Sequence, residues 1–127
     1  MEKKVCLDSD ISIEIIKKTE KGITFINLVG ESEAYISTIS QFELLLRKHN
    51  IEPVERFIRD LNILPFTDTC ARKAAELLKE LQSKGESVDI RDLFIAATAI
   101  TNNCALATLN TKHFKKLPWS LFWSIIF

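Results

Sequence analysis

The sequence predicts an α/β fold, a parallel sandwich in which strands alternate with helices. Two observations predict it. Short apolar runs alternate with longer amphipathic segments along the chain, the pattern of a sheet covered by helices. Acidic residues also stand where a strand or turn hands over to a helix. Asp8 and Asp10 follow Val5-Cys6-Leu7, Glu43 sits in Ile39-Ser40-Gln41-Phe42-Glu43-Leu44, and Asp92 opens Asp92-Leu93-Phe94-Ile95-Ala96-Ala97-Thr98-Ala99. The 127 residues fit a single domain, large enough to bury a core without disulfides or a structural metal.

Taken in order, residues 3–7 predict a first strand, and residues 9–18 a helix with Ile11, Ile15 and Ile16 on neighbouring turns. Residues 22–30 carry Ile23, Phe25, Ile26, Leu28 and Val29 and predict a helix bounded by its glycines. Residues 34–37 are a short β-branched and aromatic strand. The pattern Phe42, Leu44, Leu45, Leu46 predicts a helix over 40–49, and Pro53 suits the first turn of the next helix, 54–61. A strand follows at 61–65. Thr67 or Asp68 then caps a helix running to about Ser83 and ended by Gly85. Residues 89–102 are the clearest helix, alanine-rich on one face, and residues 105–108 form a strand. The apolar end, 118–127, reads as a last strand at the sheet edge or as a hydrophobic patch for a second copy or a partner peptide.

Seventeen basic and seventeen acidic side chains cancel, so no global field draws in a polyanion. Nucleic-acid binding must come from local patches or from a bound metal. Cys6, Cys70 and Cys104 are odd in number, lie in apolar contexts and lack C-x-x-C spacing, which points to buried thiols in a reducing compartment rather than zinc. Asp8 and Asp10 interrupt any signal-peptide stretch after Lys3-Lys4, and the apolar runs are too short to span a bilayer. The expected location is the cytoplasm, with no membrane contact.

In an open parallel sheet, ligands gather outside the carboxyl ends of the strands. Asp8 lies just past the first strand and Asn110 just past the strand at 105–108, while Glu43 and Asp92 stand near helix starts. Two carboxylates about 4 Å apart repel by roughly 4 kcal/mol at an effective dielectric of 20, so a cluster of three needs a cation or a raised pKa. Oxygen-only ligation favours Mg²⁺ or Mn²⁺ over zinc, and such a site best serves phosphodiester hydrolysis. Each acid also suits a plain capping role. Ser40 and Glu43 have the spacing of a capping box, Asp89 and Asp92 stand at the best helix, and Asp8-Ser9-Asp10 would cap the helix entering at Ile11.

The blocks Val5-Cys6-Leu7-Asp8-Ser9-Asp10-Ile11-Ser12-Ile13, Ile36-Ser37-Thr38-Ile39-Ser40-Gln41-Phe42-Glu43-Leu44, Asp92-Leu93-Phe94-Ile95-Ala96-Ala97-Thr98-Ala99 and Ala107-Thr108-Leu109-Asn110-Thr111-Lys112-His113-Phe114 resemble a PIN domain, and within that family the VapC-type toxin ribonucleases. The resemblance covers residues 3–118, with the blocks in the family's order. It implies a PIN-like three-layer sandwich with a central, mainly parallel sheet flanked by helices, a Mg²⁺ or Mn²⁺ site, and metal-dependent cleavage of RNA. By position, Asp8, Glu43 and Asp92 match the family's acidic metal ligands and Asn110 the fourth catalytic position. It also implies a cognate antitoxin and a homodimer. Two departures stand out. Asp8-Ser9-Asp10 replaces the usual Asp-x-Asn, adding a carboxylate, and Asn110 replaces a common Asp, which weakens the case for a second metal.

Around these, Ser9 is expected to hydrogen-bond a ligand carboxylate or a bound water, Thr108 to orient Asn110, and Asp10 to support the metal. Arg47 and Lys48, with His49, and Lys112 and Lys115, with His113 and Lys116, are candidate phosphate contacts. His113 is not favoured as a general base. The alternative to a nuclease is a non-catalytic PIN-like module that binds RNA or protein, for which the zero net charge and neutral Asn110 speak. Asp8-x-Asp10 after a strand is also similar to the aspartyl nucleophile of haloacid-dehalogenase-like phosphatases, but no matching lysine and later acidic pair is found.

Overall fold

The computed structural model describes residues 4–30 and 32–117; Lys3 of the expected first strand and the apolar end at 118–127 lie outside them. The chain runs β1 (Lys4–Leu7), α1 (Ser9–Ile16), α2 (Glu20–Val29), β2 (Glu33–Ser37), α3 (Thr38–Leu45), α4 (Ile51–Arg59), β3 (Asn62–Leu64), α5 (Asp68–Ser83), α6 (Ile90–Thr101), β4 (Ala105–Ala107) and α7 (Thr111–Phe114). The described strands form a wholly parallel sheet in the order β3-β2-β1-β4. Leu7 pairs with Ala107, Cys6 with Tyr35, and Ser37 with Leu64.

Strand periodicity sorts the core into two sides. Val5, Leu7 and Ala107 face a layer that includes Ile11 of α1 and Phe25 of α2. Cys6 and Leu106, pointing the other way, pack with Ala74, Leu77 and Leu81 of α5, Leu93, Ile95 and Ala96 of α6, and Phe114 of α7. Ile36 adds Leu44, Val54 and Ile58 of α3 and α4 to the first side. Helices therefore cover both faces, the expected three layers. Because β1 is buried from Val5 to Leu7 between two neighbours, its run is continuously apolar rather than alternating with polar residues.

Helix ends follow local chemistry. Thr67 caps α5 by accepting from the Cys70 N–H, and beyond its end Gly85 takes a φ of 71° while the Glu86 N–H returns to the Leu81 carbonyl. Of the two glycines expected to bound α2, Gly30 does so, as its C-cap at a φ of 54° with its N–H donating to the Ile26 carbonyl, but Gly22 does not. Thr19 caps α2, accepting from the Gly22 N–H, and Gly22 lies inside the helix. A Cβ at Gly22 would stand 2.3 Å from the Glu14 carbonyl oxygen, so the residue is small because α1 and α2 touch there. The short α7 was not foreseen; its buried anchor is Phe114. Cys6, Cys70 and Cys104 are free, buried thiols.

Candidate active site

Sheet order makes the crevice. From β1 the chain adds β2 and β3 to one side and then places β4 on the other, so β1 and β4 meet where the order reverses. The connection after β1 enters α1, on the Ile11 and Phe25 face, and the connection after β4 leads to α7, on the Phe114 face. The residues just beyond these strands therefore line a gap between diverging connections.

Asp8 stands in that gap, 4% exposed. It caps α1: its Oδ1 accepts from the Ser9 N–H at 2.8 Å, and its own N–H donates to the Ala107 carbonyl at 2.9 Å. Its Oδ2 accepts from the Thr108 hydroxyl at 2.8 Å. Burial and then repulsion from Asp10 push the Asp8 carboxyl up to about 7, against the pull of the Thr108 and Ser9 hydrogen bonds. Glu43 adds to the repulsion.

Asp10 has a different occupation. Its Oδ1 accepts from the Ile11 N–H at 2.6 Å and its Oδ2 from the Leu109 N–H at 3.1 Å, with the Thr108 hydroxyl 3.2 Å away. Thr108 also accepts the Asn110 N–H at 3.0 Å. A hydroxyl has one proton, so Thr108 divides its donation between two carboxylates while its lone pair holds the Asn110 backbone. Asp10 thus ties the start of α1 to the turn after β4. Its carboxyl is raised by burial and lowered by these backbone N–H groups. The Asn110 side chain is exposed and makes no capping hydrogen bond.

Glu43 projects from α3. Its Oε1 accepts from the Ser9 hydroxyl at 3.1 Å and its Oε2 lies 3.5 Å from Arg91 Nη1. Burial raises the Glu43 carboxyl, Ser9 and Arg91 lower it, and Asp92 and Asp89 push it up again. The capping box expected of Ser40 and Glu43 is not formed. Ser37 is the cap, accepting from the Ser40 N–H at 3.0 Å, because α3 starts directly at the end of β2 and carries Ser40 inside as a buried residue. Glu43 is thereby left to point at other segments.

Asp92 lies in the first turn of α6, where the helix end favours an anion. The cap itself is Asp89, which accepts from the Arg91 N–H at 2.8 Å. Asp92 Oδ2 accepts from His113 Nδ1 at 3.2 Å. Burial and Asp89 raise the Asp92 carboxyl, and His113 and Arg91 lower it. Beside it opens a cleft of about 200 Å³ lined by Ser87, Val88, Asp89, Asp92, His113 and Lys116. Lys116 Nζ donates to the Ser87 carbonyl across the end of that cleft.

The basic candidates divide. His113 and Lys116 reach the Asp92 cleft, and Lys112 and Lys115 stand exposed on and beside α7. Arg47 instead lines a separate cleft of about 170 Å³ with Ile13, Ile16, Lys17, Asn50, Pro53 and Val54, which contains none of the acidic residues; Lys48 beside it is exposed. Sequence reasoning missed Arg91. The signal was present in Asp89-Ile90-Arg91-Asp92, a cation set between two acids at a helix start.

The donor set has the chemistry of a hard-cation site. Asp8, Glu43 and Asp92 offer carboxylate oxygens only, each raised by burial and by an acidic neighbour, which is the condition a dication relieves. Among the described residues, however, no three acidic, histidine or cysteine side chains converge as a ligand set. Glu43 is held by Ser9 on the Asp8 side and by Arg91 on the other, and Asp92 is held by His113, so an ion shared with Asp8 would compete with Arg91 and His113.

The PIN domain family model matches residues 5–120, and the chain belongs to the PIN domain family. Within it the chain is similar to ribonuclease VapC10 of Mycobacterium tuberculosis, 32% identical over 113 residues that make up 87% of this chain and 85% of that protein. It is 36% identical to ribonuclease VapC2 of Rickettsia felis over 72 residues, a match spanning 57% of this chain and about half, 54%, of that protein. Among solved structures, the crystal structure of VapBC2 from Rickettsia felis bound to a DNA fragment from their promoter has a chain that superposes with a TM-score of 0.81 at 27% identity, covering 98% of both chains.

Proposed function

We propose that this chain is a metal-dependent endoribonuclease that hydrolyses RNA phosphodiester bonds, the toxin of a VapBC-type toxin–antitoxin pair. The observation that carries the reading is Asp8, buried at the switch point of a parallel sheet with two further carboxylates in its field and, among the described residues, no cation paired to it. Its relatives bear the name ribonuclease VapC over most of the chain.

Asp8, Glu43 and Asp92 would hold Mg²⁺ or Mn²⁺, and Asn110 would complete the pocket. When bound, the ion supplies positive charge for the phosphate and acidifies the attacking water. The chain's own residues do the rest. Thr108 and the Ser9 N–H fix both oxygens of Asp8, and Ser9 steadies Glu43, so the ligands are oriented by the groups behind them. Asp10 and Thr108 set the turn that carries Asn110. Lys116, with Lys112 and Lys115 nearby, supplies positive charge on the side where a polyanion must approach four acids.

Exposed Phe42 and Leu45 of α3 and Leu46 at its C-cap form a stripe, and Ile23, Ile26 and Leu28 leave apolar surface on α2. Such surface supports an antitoxin segment and a second copy as partners. Among the described residues no helix is long and apolar enough to cross a membrane.

The test is cleavage of an RNA pool with Mg²⁺ or Mn²⁺ by wild type, Asp8→Asn and Asp92→Asn. Cleavage by wild type alone supports the reading, and cleavage retained by both variants removes it. The second reading, a non-catalytic RNA- or protein-binding module, draws on the unconverged carboxylates and on Arg91 and His113 already paired to two of them. RNA binding indifferent to metal, without cleavage, would favour it.

A further inference from the structure

The site's acids are neutralised unequally. Asp8 is held by a hydroxyl and a backbone N–H, neither of which carries charge. Glu43 instead faces a guanidinium. Arg91 Nη1 lies 3.5 Å from Glu43 Oε2, and Arg91 Nε lies 3.7 Å from Asp89 Oδ1, so one side chain bridges α3 and the start of α6. The Glu43 side chain is 21% exposed and that of Arg91 50%, so the pair is partly shielded on the acidic side and open to solvent on the other.

We infer that Arg91 is an internal counter-cation for Glu43, which a divalent ion must displace to take that carboxylate. Arg91 is thus a positioning residue that holds the metal-free site open. The inference rests on the proposed metal site and adds its control by the chain itself. Three features carry it. The Arg91–Glu43 pair exists where the acids fail to converge. Glu43 has a second tether, Ser9, aimed toward the Asp8 side, so releasing Arg91 leaves Glu43 attached there rather than free. A guanidinium this exposed can move into water at little cost, which a buried one could not.

The pair also separates charge from structure. The Asp89 cap uses the backbone N–H of residue 91, so an Arg91 side-chain substitution leaves the start of α6 intact. The experiment is the thermal stabilisation of the full chain against Mg²⁺ and Mn²⁺ concentration for wild type, Arg91→Gln, Arg91→Lys and Glu43→Gln. In Arg91→Gln the metal concentration at half-effect falls by about three- to tenfold, since both the competing cation and its repulsion are gone. Arg91→Lys stays near wild type because the charge is kept. Glu43→Gln raises the half-effect concentration. An Arg91→Gln midpoint equal to or above wild type, with wild type itself stabilised, overturns the latch and leaves the metal site standing. No metal-dependent stabilisation of wild type or of any variant overturns both.

Discussion

The Asp8 corner and the Glu43–Asp92 rim bear the same charge, yet opposite kinds of partner hold them. At the corner Asp8, Asp10 and Thr108 interlock through uncharged donors over a sequence distance of about a hundred residues, and the carboxylates stay under repulsion. At the rim Glu43 and Asp92 are each paired with a basic side chain, on surface that solvent reaches. The corner has no cation of its own among the described residues, so under the proposed reading a dication would complete it, whereas at the rim it would have to compete with Arg91 and His113. The corner is thus held rigidly from inside the fold, and the rim by pairs that open to solvent.

The largest expected effect falls on the corner. Asp8→Asn reduces RNA cleavage by about a hundredfold or more, in the range seen when a charge-stabilising group is lost, measured as kcat/KM on one RNA. The comparison is sharpened by the same variant in EDTA at pH 8. Its melting temperature is equal to or above wild type, because the isosteric amide removes a desolvated charge and still accepts from the Ser9 N–H. A lower melting temperature would show that the Asp8 charge stabilises the corner after all.

Thr108→Val comes next. It strips the hydroxyl from Asp8, Asp10 and the Asn110 N–H at once, inside a site where Thr108 is 1% exposed. A loss of about 1–3 kcal/mol in urea unfolding is expected. A value near zero would mean that the corner is not the rigid half.

The pH dependence has a definite sign. In the folded protein the Asp8 carboxyl is raised from an ordinary 3.8 to about 7, so between those values the folded state keeps a proton that the unfolded chain has lost. Stability without metal therefore falls as pH rises from about 4 through about 7 and is flat above. Saturating Mg²⁺ reverses the trend, since the ion requires the carboxylates deprotonated. Melting temperatures in EDTA and in Mg²⁺ across that window check both slopes. The smallest effect is at the surface: Lys112→Ala or Lys115→Ala weakens RNA binding by a few-fold, lowers its salt dependence by about one counterion and leaves metal stabilisation unchanged.

Most elements were legible because their signals are local. The apolar runs of β1 and β4, the i, i+4 spacing of Val54 and Ile58, and the caps Thr67 and Asp89 all depend on neighbours a few residues away. Where the reading slipped, a distant partner had decided. Gly22 looked like a boundary because nothing nearby says that the Glu14 carbonyl lies against it. Ser40 looked like a cap because its spacing to Glu43 is right, but the strand β2 delivers Ser37 to that place first. Arg91 was missed and Arg47 placed beside the acids for the same reason: Arg47 follows Glu43 in sequence yet lines another cleft, and Arg91 reaches Glu43 from a different helix.

The sequence by itself determined the alternation of strands and helices, since short-range spacing encodes it, and carried the blocks around Asp8, Glu43 and Asp92 whose resemblance pointed to the family. Only the tertiary structure decided that β1 and β4 sit side by side, that Asp10 clamps the far turn while Asp8 lies buried behind it, and that Arg91 and His113 hold the rim. The physical reason is range. Backbone propensity acts over a few residues, whereas desolvation and charge pairing depend on which segments the packed sheet brings together.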